Sequence, residues 1–439
     1  MPTQLIQPRH PQRFEIRCNV GDALVANLAV HLVFFFPRQL DARALASAFA
    51  QALTRLPLFA GRLGMRHGRM RIRCAGQGVP FTTVSSECTL PEAIRSISAD
   101  TGGWLVDPVN GPVARWSRGP LCTVRVTQLA NAATAIGFSW HHALGDMQTA
   151  MHMINAWVAA AAGKPAPDPL IVEDRAAYLD EHLPADGARE PGVRVLGFAE
   201  LARSAAYLAT KARSQRTLHL YFSDGEIARI RGSYGSRMRL SSNDVVCAHM
   251  SETLMRVDPV VDRRSLAIAV NTRTRCGLDP MLVGNILTTL NLNLRRGEAA
   301  SSIAERIRHS VDHFGAEHCD MRINQQYLDA AGTWQAARCV STAFDPVRWN
   351  PLITNWSGFG VYRVNFEDTW PSYCTPLMRV PVAGLGSLME WPDGNGLVFQ
   401  MSLPPRDFEA LSSPVVREYL HRCRCAGDVV ARSDRDVHG

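Results

Sequence analysis

An apolar strand that runs directly into a helix, FSWHHALGDMQTAMHMINAW at 138–157, is the feature that most constrains the fold of this sequence. Gly145 gives the connecting loop the freedom to bend sharply, and Asp146 stands where a helix N-cap is expected. Apolar side chains then recur at helical spacing on one face, at Met147, Met151, Ile154 and Val158. The junction predicts an α/β chain with two adjacent histidines on a strand-to-helix loop.

Strands and helices alternate along the rest of the chain. The branched and aromatic run at 25–37 predicts a strand, and Asp41 caps a predicted helix that ends before Pro57. A hairpin is expected at 62–84, with its turn at His67. Further strands are predicted at 121–129, 132–140, 217–223 and 265–273, and further helices at 241–257 and 302–318.

The chain has 439 residues, more than one hydrophobic core usually fills, so we expect two domains. Two linker-like stretches, GKPAPDP at 163–169 and PADGAREPG at 184–192, mark the crossover between them. We therefore predict an N-terminal domain at 1–180, a crossover linker at 181–215 and a C-terminal domain at 216–439.

Charge and cysteine content indicate which cellular compartment and which binding partners to expect. The formal net charge of +7 comes from scattered arginines, which gives no basic stripe for nucleic acid but suits a small polyanion such as a coenzyme phosphate. Eleven cysteines without framework spacing indicate thiols in a reducing cytosol. The N-terminus lacks an apolar signal core, and the longest apolar run, 23–36, is too short to span a bilayer. We expect a cytoplasmic protein that binds no membrane.

His142 and Asp146 are the candidate site residues at the junction. A histidine on such a loop is suited to general base catalysis, because near neutral pH it can take a hydroxyl or amine proton and later return one to a leaving group. Acyl transfer from a thioester requires both steps. Asp146 could instead serve only as the helix cap, and the two roles are compatible. Strand alternation directs His141 to the opposite side.

Metal and hydrolase sites are less well supported. A metal at the junction would need further ligands, and only His152 lies nearby in sequence. A second histidine group comprises His309, His313, His318, Cys319 and Asp320. We interpret it as a solvated helix face rather than a zinc site, because no paired cysteines or HExxH pattern accompanies it. Ser139 lacks the flanking glycines of a hydrolase nucleophile. We predict no metal and no permanently bound cofactor.

The segment from His142 to Asp146 is similar to the HxxxD motif of the BAHD acyltransferases, a coenzyme-A-dependent family. The same motif occurs in nonribosomal-peptide condensation domains. Six other segments resemble blocks of the BAHD family in the same order: 53–63, 74–81, 171–179, 218–230, 270–285 and 353–366. The resemblance runs from about residue 20 to residue 415.

The resemblance implies an α/β (α+β) fold of two chloramphenicol-acetyltransferase-like domains, each a mixed sheet with helices. It also implies an active-site channel between the domains, with His142 at its middle. Acyl-coenzyme A would enter as co-substrate from one face and the acceptor from the other. His142 Nε2 would deprotonate the acceptor in a ternary complex, without a covalent acyl-enzyme.

Supporting roles follow from the same resemblance. Thr354 and Trp356 would donate hydrogen bonds to the oxyanion, although without the resemblance they would be interpreted as a buried core pair. Asp146 would turn away from the substrate and pair with Arg273 or Arg275, which could otherwise be solvated strand ends. Gly145 and Asn365 are expected to support the site structurally.

Three departures separate this sequence from the plant members that the family is known for. The DFGWG pentapeptide is degraded to Asn-Phe-Glu-Asp-Thr at 365–369, Asp146 is followed by Met147 rather than glycine, and Asn271 replaces a frequent aspartate. We therefore expect a bacterial- or fungal-type member.

Three functions remain open from the sequence. The first is transfer of an acyl group from acyl-coenzyme A to a hydroxyl or amine of a small specialised metabolite, by a monomer. The second is a condensation-type reaction whose donor is a thioester on an acyl carrier protein. The third is a catalytically inactive binding protein of the same fold. The intact His142 and Asp146 favour the first two.

Overall fold

The computed structural model of the chain describes residues 3–184, 187–211, 214–258, 261–332, 338–343, 345, 349–378 and 382–428. The strands are β1 (Thr3–Ile6), β2 (Phe14–Arg17), β3 (Ala29–Phe36), β4 (Arg62–Arg66), β5 (Arg69–Cys74), β6 (Val79–Ser85), β7 (Cys122–Leu129), β8 (Ala133–His141), β9 (Val193–Val195), β10 (Arg216–Phe222), β11 (Arg263–Asn271), β12 (Leu287–Arg295), β13 (Cys339–Ser341), β14 (Leu352–Asn355), β15 (Tyr373–Pro376), β16 (Leu385–Glu390) and β17 (Leu397–Leu403).

The α-helices are α1 (Val20–Leu24), α2 (Ala42–Arg55), α3 (Leu90–Ser98), α4 (Gly111–Ser117), α5 (Met147–Ala161), α6 (Arg175–His182), α7 (Phe198–Lys211), α8 (Asp224–Ser233), α9 (Ser242–Val257), α10 (Ala300–Asp312), α11 (Met321–Ala331), α12 (Pro405–Ser412) and α13 (Pro414–Leu420). Short 3-10 turns lie at Pro57–Ala60, Gly102–Leu105, Ala130–Ala132, His142–Leu144, Thr274–Cys276, Val361–Arg363 and Ala426–Asp428.

Two six-stranded mixed sheets form the framework, and this confirms the predicted fold class. The first has the order β1-β6-β7-β8-β3-β15, in which only the β6–β7 pair is parallel. The second has the order β10-β17-β16-β14-β11-β12, with β14 parallel to both of its neighbours. Smaller sheets join β2, β5 and β4, and β13 and β9.

Strand β15 comes from the second half of the chain but completes the first sheet. It pairs antiparallel with β3, where Thr375 lies opposite Val33. The buried Gln400 of β17 donates a hydrogen bond of 2.7 Å from Nε2 to Thr375 Oγ1. The first sheet is therefore tied directly to the second through β15, and the predicted domain division at 181–215, which contains β9 and α7, stays a prediction.

Alternating side chains divide strands β3, β8 and β15 of the first sheet between two apolar cores. Phe34 of β3 and Phe138 of β8 lie in one core with Phe49 of α2 and Met151 of α5. Residues on the opposite side of these strands, such as Phe35, lie in a second core. This core also contains side chains of the second sheet. Strand β8 is buried along its whole length, so the loop after it begins from a rigid support.

Helix starts follow their capping residues as predicted. Asp41 Oδ1 accepts hydrogen bonds from the backbone N–H groups of Arg43 and Ala44 at the start of α2. Ser241 and Asp244 form a reciprocal capping box at the start of α9. The helix predicted at 302–318 is wrong at its end, because α10 stops at Asp312 and a single π-helical turn, Phe314–His318, replaces the last turns. None of the described helices is both long and apolar enough to cross a membrane.

Candidate active site

The site is built on the β8–α5 junction. His142 opens a one-turn 3-10 helix directly after β8, and its backbone N–H donates to Leu28 O at 2.9 Å. Asp146 is the N-cap of α5, and its Oδ1 accepts from Thr149 N at 3.0 Å. Both ends of the loop are thus fixed by backbone hydrogen bonds, so the His142 ring projects from a rigid turn.

The His142 ring is held through its Nδ1 atom by the side chain of Asn285. The Nδ1–Oδ1 distance is 2.9 Å, and Asn285 Nδ2 donates to His142 O at 2.7 Å and to Asp22 Oδ1 at 2.8 Å. Because the two amide hydrogens already face two oxygens, the amide oxygen must face the ring. The hydrogen of the neutral imidazole therefore lies on Nδ1, which leaves the lone pair on Nε2.

Burial lowers the pKa of His142 below its usual value, against the opposing effects of hydrogen bonds and of the Asp146 and Asp22 charges. The ring is half-buried. It is therefore neutral near pH 7, the protonation state that a general base needs.

A second ion pair lies behind Asn285. Asp22 and Arg175 are almost completely buried, and Arg175 Nη1 lies 2.9 Å from Asp22 Oδ2. The same guanidinium donates to Ala143 O at 3.3 Å and to Leu144 O at 3.0 Å. Arg175 thus holds the two residues that directly follow His142.

Asp146 pairs with Arg273 and, among the described residues, makes no hydrogen bond to the His142 ring. Arg273 Nη1 lies 2.8 Å from Asp146 Oδ2, and Nη2 lies 3.1 Å from Oδ1. Burial acts to raise the pKa of Asp146, but the Arg273 charge and hydrogen bonds from Arg273, Thr149 and Ile286 outweigh it, so that the pKa is lowered. Arg275, the other candidate partner, is exposed and is not the arginine that pairs with Asp146.

Gly145 is required by the close approach of α5. A Cβ atom at this position would lie 2.5 Å from Thr149 Cβ. Thr149 Oγ1 in turn accepts from Gly284 N at 3.0 Å and donates to Gly284 O at 3.1 Å. Gly145 thus lets Thr149 join the junction to the segment that carries Asn285.

His141 faces the other side of the strand end, as alternation predicts. Its Nδ1 accepts from Ala143 N at 3.1 Å, so Nε2 donates to Gly111 O, also at 3.1 Å. Burial lowers the pKa of His141 to about 4. With both ring nitrogens occupied by the backbone, His141 is a structural residue of the loop.

Thr354 and Trp356 form a pair at the end of β14. The Trp356 indole N–H donates to Thr354 Oγ1 at 3.0 Å, whereas the resemblance implies that both residues donate to the oxyanion. Within the described part of the chain the Thr354 hydroxyl donates no hydrogen bond, and the bond that it accepts polarises it. The buried Trp356 lies in the same apolar core as Ala143 and Leu144, and among the described residues no hydrogen bond joins this pair to His142.

Asn365 lies at the start of the degraded pentapeptide and is half-buried. The anchor of that segment is Phe366, whose ring packs on Phe36 and Trp157 with centroid distances of 5.9 and 5.0 Å. Glu367 Oε1 accepts from Asp41 N at 2.9 Å. The segment thus fastens the second half of the chain to α2 and α5 without the glycines of the family pentapeptide.

The second histidine group is divided between surface and interior: His309 and His313 lie at the exposed end of α10, whereas Cys319 and Asp320 are buried. His309 and His313 are exposed and stack with their ring centroids 4.3 Å apart. Within the described ranges, no group of three or more His, Cys, Asp or Glu side chains is arranged to hold a metal ion.

A cavity of about 710 Å³ lies at the start of α9 and is lined by Arg231, Arg239 and Arg308, among others. Its lining comes entirely from residues 228–242 and Arg308. This cavity is therefore distinct from the channel predicted between the two halves around His142.

Comparison with known proteins places these observations in a family. Residues 1–415 match the Transferase family. The chain belongs to the Transferase family. Its motifs are those of the BAHD acyltransferases within it, so the protein is an acyltransferase that uses acyl-coenzyme A as co-substrate.

Among curated Transferase family relatives, rosmarinate synthase of Plectranthus scutellarioides is 29% identical over 390 residues, which cover 82% of this chain and 83% of that protein. The structure of vinorine synthase aligns with a TM-score of 0.71 at 17% identity, over 93% of this chain and 95% of that one. TRI101 of F. graminearum, solved with coenzyme A and T-2 mycotoxin, aligns with a TM-score of 0.72 at 14% identity, over 92% and 98% of the two chains. Both structures show the same fold.

Three residues of the site were missed by sequence reasoning: Asp22, Arg175 and Asn285. Arg175 and Asn285 lie in segments at 171–179 and 270–285 that resemble the family, but nothing in a single sequence connects them to His142. Asp22 belongs to a capping box with Asn19, so local pattern alone indicates only a helix start.

Proposed function

We propose that His142 is the general base of an acyl transfer from acyl-coenzyme A to a hydroxyl or amine of a small specialised metabolite. The observation that carries the proposal is the hydrogen bond between His142 Nδ1 and Asn285 Oδ1, because it directs the lone pair of the ring to Nε2. The half-buried ring is then neutral and correctly oriented to accept a proton.

The proposed reaction accounts for each proton and each bond. Nε2 takes the acceptor proton while the acceptor oxygen or nitrogen attacks the thioester carbonyl carbon, and the carbonyl electron pair moves onto its oxygen. The Thr354 hydroxyl donates to that oxyanion, with Trp356 holding the hydroxyl in place. When the oxyanion collapses, the carbon–sulfur bond breaks and the leaving thiolate of coenzyme A takes the proton from Nε2.

Asp146 and Arg273 take no part in proton transfer under this proposal. Their ion pair, together with Gly145, fixes the loop that carries His142. The exposed Arg275 and the half-buried Asn365 are assigned structural roles only, in the segments that bring Arg273 and Phe366 to their partners.

Three finer assignments accompany the mechanism. The altered pentapeptide at 365–369 and Met147 support a bacterial- or fungal-type member, although several curated relatives come from plants. All eleven cysteines are free, which supports a reducing cytoplasmic location. We also propose a monomer that takes its acyl group from coenzyme A rather than from an acyl carrier protein.

The direct test measures thiol release from a panel of acyl-coenzyme A donors, with and without candidate acceptors, for the wild type and for His142→Ala. Acceptor-dependent release by the wild type and its loss in His142→Ala support the proposal. Wild-type rates in His142→Ala would overturn the assignment of the base. Turnover only with an acylated carrier protein would show that the donor is a carrier-bound thioester, as in a condensation-type reaction, and His142 would keep its role as base.

A further inference from the structure

We propose that Asp22, Asn285 and His142 form a hydrogen-bonded relay in which the Asp22 carboxylate stabilises the imidazolium that forms during acyl transfer. The inference rests on the proposed role of His142 as base. Asp22 and Asn285 are then positioning residues that act through the His142 ring. They lie 120 and 143 positions from His142 in the sequence.

The relay is continuous and fully buried beyond the ring. Asp22 Oδ1 accepts from both Asn285 Nδ2, at 2.8 Å, and Asn285 N, at 3.2 Å. Asn285 Oδ1 then accepts from His142 Nδ1 at 2.9 Å. Asp22 is 0% exposed and Asn285 1%, so little solvent screens the carboxylate from the ring.

The Asp22 carboxylate is fully paired by its other contacts. Its Oδ2 atom accepts from Asn19 N at 3.0 Å and from Arg175 Nη1 at 2.9 Å. A guanidinium and three amide donors thus satisfy one buried carboxylate. The Cys18 thiol also faces Asp22, and its pKa is raised well above its usual value, chiefly by burial, so it stays protonated.

The amide of Asn285 transmits charge without transferring a proton. When Nε2 takes the acceptor proton, the ring becomes a cation and its Nδ1–H becomes a stronger donor to Asn285 Oδ1. The Asp22 carboxylate polarises the same amide from the opposite side, which increases the negative charge on Oδ1. The other titratable groups near the ring are Asp146, paired with Arg273, and the neutral His141.

A purely structural role for Asp22 is the competing explanation. Arg175 also donates to Ala143 O and Leu144 O, so loss of Asp22 could act by freeing Arg175 and shifting the loop. The two explanations differ in the pKa of His142, because a shifted loop lowers kcat in either case, whereas only loss of the relay also lowers the pKa of the ring. Asp22→Asn combined with Arg175→Gln is the variant to compare, because it leaves no unpaired buried charge.

The experiment compares Asp22→Asn, the double variant Asp22→Asn/Arg175→Gln and His142→Ala. For each, kcat, KM and the dependence of kcat/KM on pH are measured by thiol release. Histidine carbon-13 NMR gives the His142 pKa without substrate, with its signal assigned from His142→Ala. Thermal unfolding shows that each variant is folded.

The relay predicts that the double variant loses kcat by about 10-fold while KM changes little, and that the pKa of His142 falls by about one pH unit. The same downward shift in Asp22→Asn supports the relay if that variant folds. An unshifted His142 pKa in the double variant would overturn the relay while leaving the base intact, whether or not kcat falls. If His142→Ala itself keeps wild-type activity, the proposed function fails first, and the relay fails with it.

Discussion

Asp146 and Arg273, 127 residues apart in the chain, form a two-point ion pair that joins the start of α5 to the end of β11. Both residues are almost completely buried, at 3% and 1% exposure. Asp146 also caps α5, and Arg273 Nε donates to Leu282 O at 2.8 Å. The pair therefore fixes the loop of the proposed base to the second half of the chain.

Removing Arg273 is expected to destabilise the protein strongly. In Arg273→Met the buried Asp146 keeps its charge but loses its partner, which typically costs about 3–5 kcal/mol of unfolding free energy. Urea denaturation measures the difference from the wild type. The double variant Asp146→Asn/Arg273→Met leaves no isolated charge and should recover part of the loss. Equal midpoints for the wild type and Arg273→Met would show that the ion pair adds nothing to the fold.

Gly145→Ala should reduce both stability and turnover. The added methyl group would lie 2.5 Å from the Thr149 side chain, and Thr149 cannot move without breaking its two hydrogen bonds to Gly284. We expect a loss of about 1–3 kcal/mol in unfolding free energy together with lower kcat. Gly64→Ala in β4 is the matched control, because its Cβ would meet nothing within 4 Å and its backbone is not in the left-handed region. Equal effects of the two substitutions would contradict the role of Gly145.

Local pattern predicted the parts of this structure that depend on neighbouring residues. The β8–α5 junction, the cap at Asp146 and the helix that begins after Asp41 all follow from residues within one or two turns. The direction of His141, opposite to that of His142, follows from strand alternation in the same way.

What the sequence could not supply depends on contacts between distant segments. Asn285 is a polar residue before β12, and only the packing of that segment against the β8–α5 junction brings it to His142. The pairing of β15 with β3 likewise joins residues more than 300 positions apart. The choice of Arg273 over Arg275 depends on the turn at Thr274–Cys276, which buries one arginine and exposes the other.

Substitutions in the Thr354–Trp356 pair should lower kcat by different amounts. Thr354→Val removes the proposed oxyanion donor and should lower kcat by about 100-fold, the usual effect of losing one such donor. Trp356→Phe keeps most of the ring packing but removes the hydrogen bond to Thr354 Oγ1, so a smaller loss of kcat is expected. Both are measured by thiol release at saturating donor. A larger loss in Trp356→Phe than in Thr354→Val would assign the donor role to the indole instead.

His141 should make the stability of the fold depend on pH. Burial lowers the pKa of His141 to about 4 in the folded protein, whereas an unfolded histidine has a pKa of about 6.5. The unfolded chain therefore binds the extra proton first as the pH falls, and stability decreases between about pH 6.5 and pH 4.

Replacing His141 with glutamine isolates this effect. A glutamine amide has a donor and an acceptor for Gly111 O and Ala143 N, the two groups that the ring now satisfies, but it does not titrate. Between pH 7 and pH 5 the wild type should lose about 2 kcal/mol more unfolding free energy than His141→Gln, as measured by urea denaturation at each pH. Identical pH dependence in the two proteins would mean that His141 is not held neutral by the loop that carries His142.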